Sequence, residues 1–172
     1  MSPCITDVLR IDYPGLCDRR EEEPLGLLIH FEHPKTILRV NIGNTGQDIE
    51  YAFQNRDELN FFLREYYGVL VTDPKFTQEL SHLIGLSIIS IDLGYYPKEE
   101  PQIRGVHFEL LSGEVVAIQL CLSDTSIFTF YNNGDEGYYS FSIPYRPSEL
   151  AFGEVFWKKL HATQWMPVFN VQ

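Results

Sequence analysis

His30, Glu32 and His33 are the residues whose types and spacing come closest to a metal site. On a strand, His30 and Glu32 point to one face, as ligands held by a sheet must. A metal site needs three or four ligands. The matching set elsewhere is a single pair, His107 and Glu109. The same residues also form the polar face of a strand whose Ile29 and Phe31 turn to a core, so neither a metal nor a cofactor is expected. Asp12 and Asp92 are the candidates for acid–base work, which needs two carboxyl groups in environments that separate their pKa values. An Asp also commonly ends a strand and opens a turn, and that local role is the expected one here. Nucleophilic schemes find no G-x-S-x-G elbow and no S-x-x-K, and phosphate binding finds no P-loop or G-x-G-x-x-G. No catalytic residue is therefore expected, and the chain reads as a binding protein rather than an enzyme.

The three cysteines, Cys4, Cys17 and Cys121, have no C-x-x-C spacing, so neither a disulfide framework nor a zinc knuckle is indicated. Cys4 is expected in a frayed terminus and Cys121 in an apolar strand. Cys17 lies among acids that would dull its thiol. Met1 opens no basic stretch leading into an apolar one, and no apolar run approaches the roughly 20 residues of a membrane span. A cytoplasmic location is the expectation.

Acids and tyrosines carry the binding argument. The net charge is −11, which disfavours nucleic acid and anionic membrane surfaces and attracts a basic partner. The acids gather in segments with loop chemistry: Glu21, Glu22 and Glu23; Glu99 and Glu100; and Asp124, Asp135 and Glu136. Tyr95, Tyr96, Tyr138 and Tyr139 stand beside them. Tyr anchors interfaces well because an apolar ring ends in a polar tip. These residues are the expected partner-binding set, with the acids steering encounter and exposed tyrosines holding the complex.

The elements that must position them repeat along the chain. Residues 29–32 (Ile-His-Phe-Glu) return as 106–109 (Val-His-Phe-Glu), residues 8–12 parallel 88–92, 36–42 parallel 114–120, and 49–53 parallel 127–131. Each copy has a Tyr-Pro turn after its first strand, Tyr13-Pro14 and Tyr96-Pro97. Turns are expected at 33–35, 44–47, 111–114 and 132–135, because Gly and Asn accept the positive φ of tight turns. Residues 137–143 form an additional strand of the second copy. Leu59, Phe62, Leu63 and Tyr66 make the apolar stripe of a helix, and Leu150, Phe152, Val155, Phe156 and Leu160 mark a second. A third helix joins the copies, with Asp73 as its cap, Phe76, Leu80, Leu83 and Ile84 on its stripe and Gly85 at its end. The expected fold is α+β: two tandem antiparallel-sheet-plus-helix repeats, an internal duplication packed over a shared core. Residues 1–68 form the first repeat, 69–84 the connecting helix and 85–172 the second repeat.

The run Ile84-Gly85-Leu86-Ser87-Ile88-Ile89-Ser90-Ile91, then Gly105-Val106-His107-Phe108-Glu109 and Ser112-Gly113-Glu114-Val115, resembles the small strand-rich immunity proteins encoded beside bacterial polymorphic toxins of contact-dependent and type VI secretion systems. The resemblance covers residues 84–130 and, less fully, 5–53. It implies a cytosolic protein that binds and blocks one cognate toxin domain without catalysis, and it assigns no contact residue. Two other functions fit the same sequence. One is a small-molecule or carbohydrate-binding module with a Tyr- and Phe-lined pocket between the repeats. The other is an enzyme with a carboxylate site of unfamiliar form.

Overall fold

Alternation of apolar with polar residues, reinforced by Val, Ile, Phe and Tyr, commits most of the chain to strands. The computed structural model describes residues 2–12, 24–32, 36–43, 46–65, 70–72, 78–98, 111–134, 136–141 and 146–165. The first half runs β1 (Ile5–Asp12), β2 (Gly26–Phe31), β3 (Ile37–Ile42), β4 (Ile49–Gln54), α1 (Arg56–Glu65), β5 (Leu70–Thr72) and α2 (Gln78–Ser81). The second runs β6 (Ile88–Lys98), β7 (Leu111–Leu122), β8 (Ile127–Asn132), β9 (Gly137–Phe141), β10 (Glu149–Leu150), β11 (Gly153–Glu154), β12 (Phe156–Leu160) and α3 (Ala162–Trp165). The fold is mixed and dominated by antiparallel sheet.

One 5-stranded sheet has the order β4-β3-β2-β1-β5 and the other β12-β6-β7-β8-β9, with a small β10-β11 ladder beside them. Each large sheet is a meander of consecutive hairpins whose first strand also takes an antiparallel late strand on its free side, β5 beside β1 and β12 beside β6. The two strand orders therefore coincide, and residues 8–12 and 88–92 fall in equivalent first strands, β1 and β6, but two other segment pairs matched by sequence do not correspond. Residues 36–42 fall in β3, the third strand of the first meander, whereas 114–120 fall in β7, the second strand of the other. His107 and Glu109 lie outside the described residues, so their match to His30 and Glu32 does too.

Several local expectations are overturned. The apolar residues 150–160 are not a helix: they form β10, β11 and β12, because Phe156–Leu160 pairs along Tyr95–Ile91 of β6 and closes the free edge of that sheet. Edge pairing outweighs a helical stripe whose residues can equally alternate on a strand. Residues 111–114 are not a turn but the start of β7, with Ser112 opposite Pro97 and Leu111 opposite Lys98. Tyr96-Pro97 likewise lies inside β6 rather than in a turn. The register shifts between Tyr95 and Pro97, and such an irregularity is where a strand accepts a residue with no N–H to donate.

Other local expectations hold. Helix α1 is closed at its start by a capping box, in which the Glu58 N–H donates to Asn55 Oδ1 (2.9 Å) and the Asn55 N–H donates to Glu58 Oε2 (2.8 Å). Of the connecting helix expected at 69–84, Gln78–Ser81 is helical and turns follow to Gly85 at φ 88°, whereas Leu70–Thr72 is strand β5 and Phe76 lies outside the described residues. Asp73 lies outside the described residues. The 132–135 turn closes the β8–β9 hairpin through the Asn133 N–H to Glu136 O bond, with Gly134 at φ 80°.

The two sheets share one core. Val8, Leu27, Ile29, Leu38 and Val40 of the first meet Ile91, Ile118, Leu120, Phe128 and Phe130 of the second in a single buried cluster. Hydrogen bonds cross between the halves. The Asn132 amide donates to the Gly46 and Asp48 carbonyls at 2.8 and 2.9 Å, and the Ile5 N–H donates to Leu86 O at 2.8 Å. Contact is close enough that a Cβ on Gly137 would stand 2.3 Å from the Pro24 carbonyl oxygen. Cys4 is not frayed: it bridges Ser87 in an antiparallel pair.

Candidate functional site: the outer face of the second sheet

On β6 to β9 alternate residues turn away from the shared core. There Val116, Leu150 and Val155 form a second, smaller cluster, with Tyr96, Tyr131 and Trp157 packed on it. Tyr131 and Tyr138 stand opposite each other in the β8–β9 ladder and stack at 5.5 Å between ring centroids. The Tyr138 hydroxyl donates to Glu136 Oε2 at 2.6 Å. The β10–β11 hairpin is tied to this face. The Ala151 N–H donates to Asn133 Oδ1 (3.0 Å), the Phe152 N–H to the Tyr96 hydroxyl (3.2 Å) and the Trp157 indole to Pro147 O (3.2 Å). Glu136, Glu149 and Glu154 are exposed around it, and Phe152 is 51% exposed at the hairpin tip. The result is an aromatic patch with a carboxylate rim on strand-held positions.

Beside the patch lies a polar network. Arg146 donates to Asp92 Oδ2 at 2.5 Å and to Gln119 Oε1 at 2.7 Å, its guanidinium 5.5 Å from the Trp157 ring centroid. The Gln119 amide donates to Thr129 Oγ1 at 3.0 Å, so two fully buried polar side chains are satisfied. The Cys121 thiol lies 4.0 Å from Asp92 Oδ2; Cys121 is partly exposed rather than buried in the core.

The expected binding residues separate in space. Tyr96, Tyr138 and Glu136 come together on this face. Tyr139 alternates with Tyr138 and turns inward; it is 7% exposed and stacks on Phe128 at 6.0 Å, so it is a core residue and not an exposed anchor. Tyr95 is turned to the opposite face from Tyr96, 6.3 Å from the Phe156 ring. Asp124 belongs to the β7–β8 turn, at the far end of the sheet from Glu136. The Ser126 hydroxyl and N–H both donate to its Oδ1, and these bonds hold its carboxyl below the usual range. Glu21, Glu22, Glu23, Glu99, Glu100, Asp135 and Cys17 lie outside the described residues. Tyr131, Trp157, Glu149, Glu154 and Arg146 were not singled out from sequence. Trp157 and Glu154 were hidden by the helix assigned to their segment.

The remaining candidates do not converge. Asp12 is buried against Arg10 at 3.1 Å in β1, while Asp92 pairs with Arg146 on the outer face of the other sheet. The two carboxylates therefore do not face one another. His30 and Glu32 are described and His33 is not; among the described residues no three His, Cys, Asp or Glu side chains gather as metal ligands. Among the described residues no helix is long and apolar enough to cross a membrane.

His30 is partly buried on the outer face of the first sheet, opposite Asp7, and its Nε2 has no hydrogen-bond partner among the described residues. Burial pushes its pKa below 6.5, Arg56 adds to the shift, and Asp7 opposes it. The folded chain thus takes up this proton less readily than the unfolded one. Stability should be level above about pH 6.5 and fall as pH drops from there towards the lowered folded value. Urea midpoints at pH 7.5 and 5 should differ less for His30→Asn than for the wild type. An equal difference in both would remove His30 from the pH dependence.

The chain matches no protein-family profile, no curated protein and no solved structure.

Proposed function

We propose that this protein is an immunity-like inhibitor that binds and blocks a basic bacterial toxin domain through the outer face of its second sheet. The observation that carries the reading is the aromatic patch of Tyr96, Tyr131, Tyr138 and Trp157, with Phe152 exposed at its edge, Glu136, Glu149 and Glu154 around it, and a net charge of −11. An apolar, aromatic centre with a charged rim is what a tight interface uses: the rim speeds encounter and the buried rings slow escape. The resemblance to toxin-immunity proteins supports the same function. The common strand order of the two large sheets supports a duplicated unit, with β1 to β4 matching β6 to β9 in order and β5 matching β12. In this pairing β10, β11 and the aromatic patch belong, among the described residues, to the later copy.

The test is binding kinetics against a basic toxin domain found encoded beside this chain; a neighbourhood without one would itself count against the reading. Glu136→Lys, Glu149→Lys and Glu154→Lys together should slow association and flatten its salt dependence, because rim charges act on the on-rate. Phe152→Ala with Tyr138→Ala should speed dissociation, costing about 2 kcal/mol or more if either ring is a hot spot. Wild-type rates in both variants would take this face out of the interface.

A further inference from the structure

A partly enclosed cavity of about 220 Å³ lies on the opposite side of the second sheet, where β4 of the first sheet approaches β6, β7 and β12. Leu93, Val115 and Leu160 supply apolar wall. Tyr51, Tyr95, Lys158 and Gln164 supply its polar groups, with Gly113 and Lys159 completing the lining. Each of those polar groups can donate a hydrogen bond. The Tyr51 and Tyr95 hydroxyls and the Lys158 ammonium have no hydrogen-bond or ion-pair partner among the described residues. Gln164 Oε1 already accepts the His161 N–H at 3.0 Å, which leaves its amide N–H groups to the cavity. Burial raises the Tyr51 pKa, so its phenol stays protonated and donates. Among the described residues no Asp or Glu lines the space, in a chain whose net charge is −11.

We propose that this inter-sheet cavity binds a small carboxylic acid with an apolar body, of the size of a benzoate. A lysine ammonium beside two phenol O–H groups favours an anion, and a phenol pair with one ammonium matches a carboxylate through charge-assisted hydrogen bonds. The aliphatic wall selects a ligand with a ring or branched carbon body over an inorganic anion. An apolar cavity of about 150 Å³ already holds benzene, so 220 Å³ leaves room for a ring and its carboxylate. The site lies on the other face from the proposed toxin contact, so either can fail without the other.

Isothermal titration of the full chain with sodium benzoate, benzamide and sodium phosphate tests it. Benzoate should saturate at one per chain, with benzamide and phosphate each about tenfold weaker or worse, since one charge-assisted contact carries about that factor. Lys158→Gln, an exposed position, should weaken benzoate at least severalfold and leave benzamide unchanged. Val115→Phe should abolish benzoate binding by filling the space, and Tyr51→Phe should weaken it with less disturbance of the packing. No saturable benzoate binding, equal affinity for benzoate and benzamide, tighter binding of phosphate, or indifference to both Lys158→Gln and Tyr51→Phe would each overturn the proposal.

Discussion

Phe130→Ala should destabilise the protein by about 3–5 kcal/mol, the usual cost of emptying a fully buried Phe site. Phe130 is 0% exposed and lies in the middle of β8, between Ile118 of β7 and Tyr139 of β9. The side chain belongs to the cluster that also holds Leu27, Leu38 and Val40 of the other sheet, so the damage should spread across the whole molecule. Thermal unfolding should remain a single transition at a lower midpoint. Hydrogen exchange should accelerate in β3 of the first sheet together with β8 of the second, because strands that share one core open together. Unchanged β3 protection in Phe130→Ala, or two separate transitions, would mean that the sheets fold as independent domains.

Arg10→Ala is expected to be comparably severe, for an electrostatic reason. Arg10 Nη2 lies 3.1 Å from Asp12 Oδ1, and the two side chains are only 9% and 7% exposed. Removing the guanidinium takes away the ion-pair partner of a buried carboxylate, and breaking such a pair costs about 3–5 kcal/mol. Replacing both partners, Arg10→Met with Asp12→Leu, should recover much of that loss, because both charges of the pair are then removed together. The contrast between the single and double variants in urea unfolding is the informative measurement. A cost below about 1 kcal/mol for Arg10→Ala would place the pair in the class of solvated surface bridges and refute the argument.

Strand content was legible because it is a local property. Alternation in residues 37–42 and 49–54 puts Leu38, Val40, Tyr51 and Phe53 on one face whatever they pack against. The α1 stripe was equally plain, and its Asn55–Glu58 capping box was available in the sequence as a polar residue followed three positions later by Glu. The β8–β9 turn was marked by Asn133 and Gly134, whose backbone tolerance is intrinsic. The segment from Leu150 to Leu160 was not legible, since its apolar spacing suits either a helix or strands. What decided it was the unpaired edge of β6, which is remote in sequence and takes Phe156–Leu160 as its neighbour. The binding residues divided for a related reason. Tyr95 and Tyr96 are adjacent in sequence, as are Tyr138 and Tyr139, and a strand sends adjacent side chains to opposite faces. One of each pair therefore joined the outer patch, while Tyr139 went into the core and Tyr95 into the inter-sheet cavity.

By itself, then, the sequence determined the acidic charge, the strand-rich composition, the hairpin turn at Asn133 and Gly134 and the helix at Arg56–Glu65, because each depends on nearby residues and their intrinsic preferences. Tertiary structure alone decided which strand of one half corresponds to which of the other, and that Arg146 meets Asp92 and Gln119 across 54 and 27 residues. It also decided that four donors, Tyr51, Tyr95, Lys158 and Gln164, surround one cavity. Those outcomes depend on which sheet edges and faces find each other, and that choice is set by burial summed over the whole chain rather than by any local run of residues.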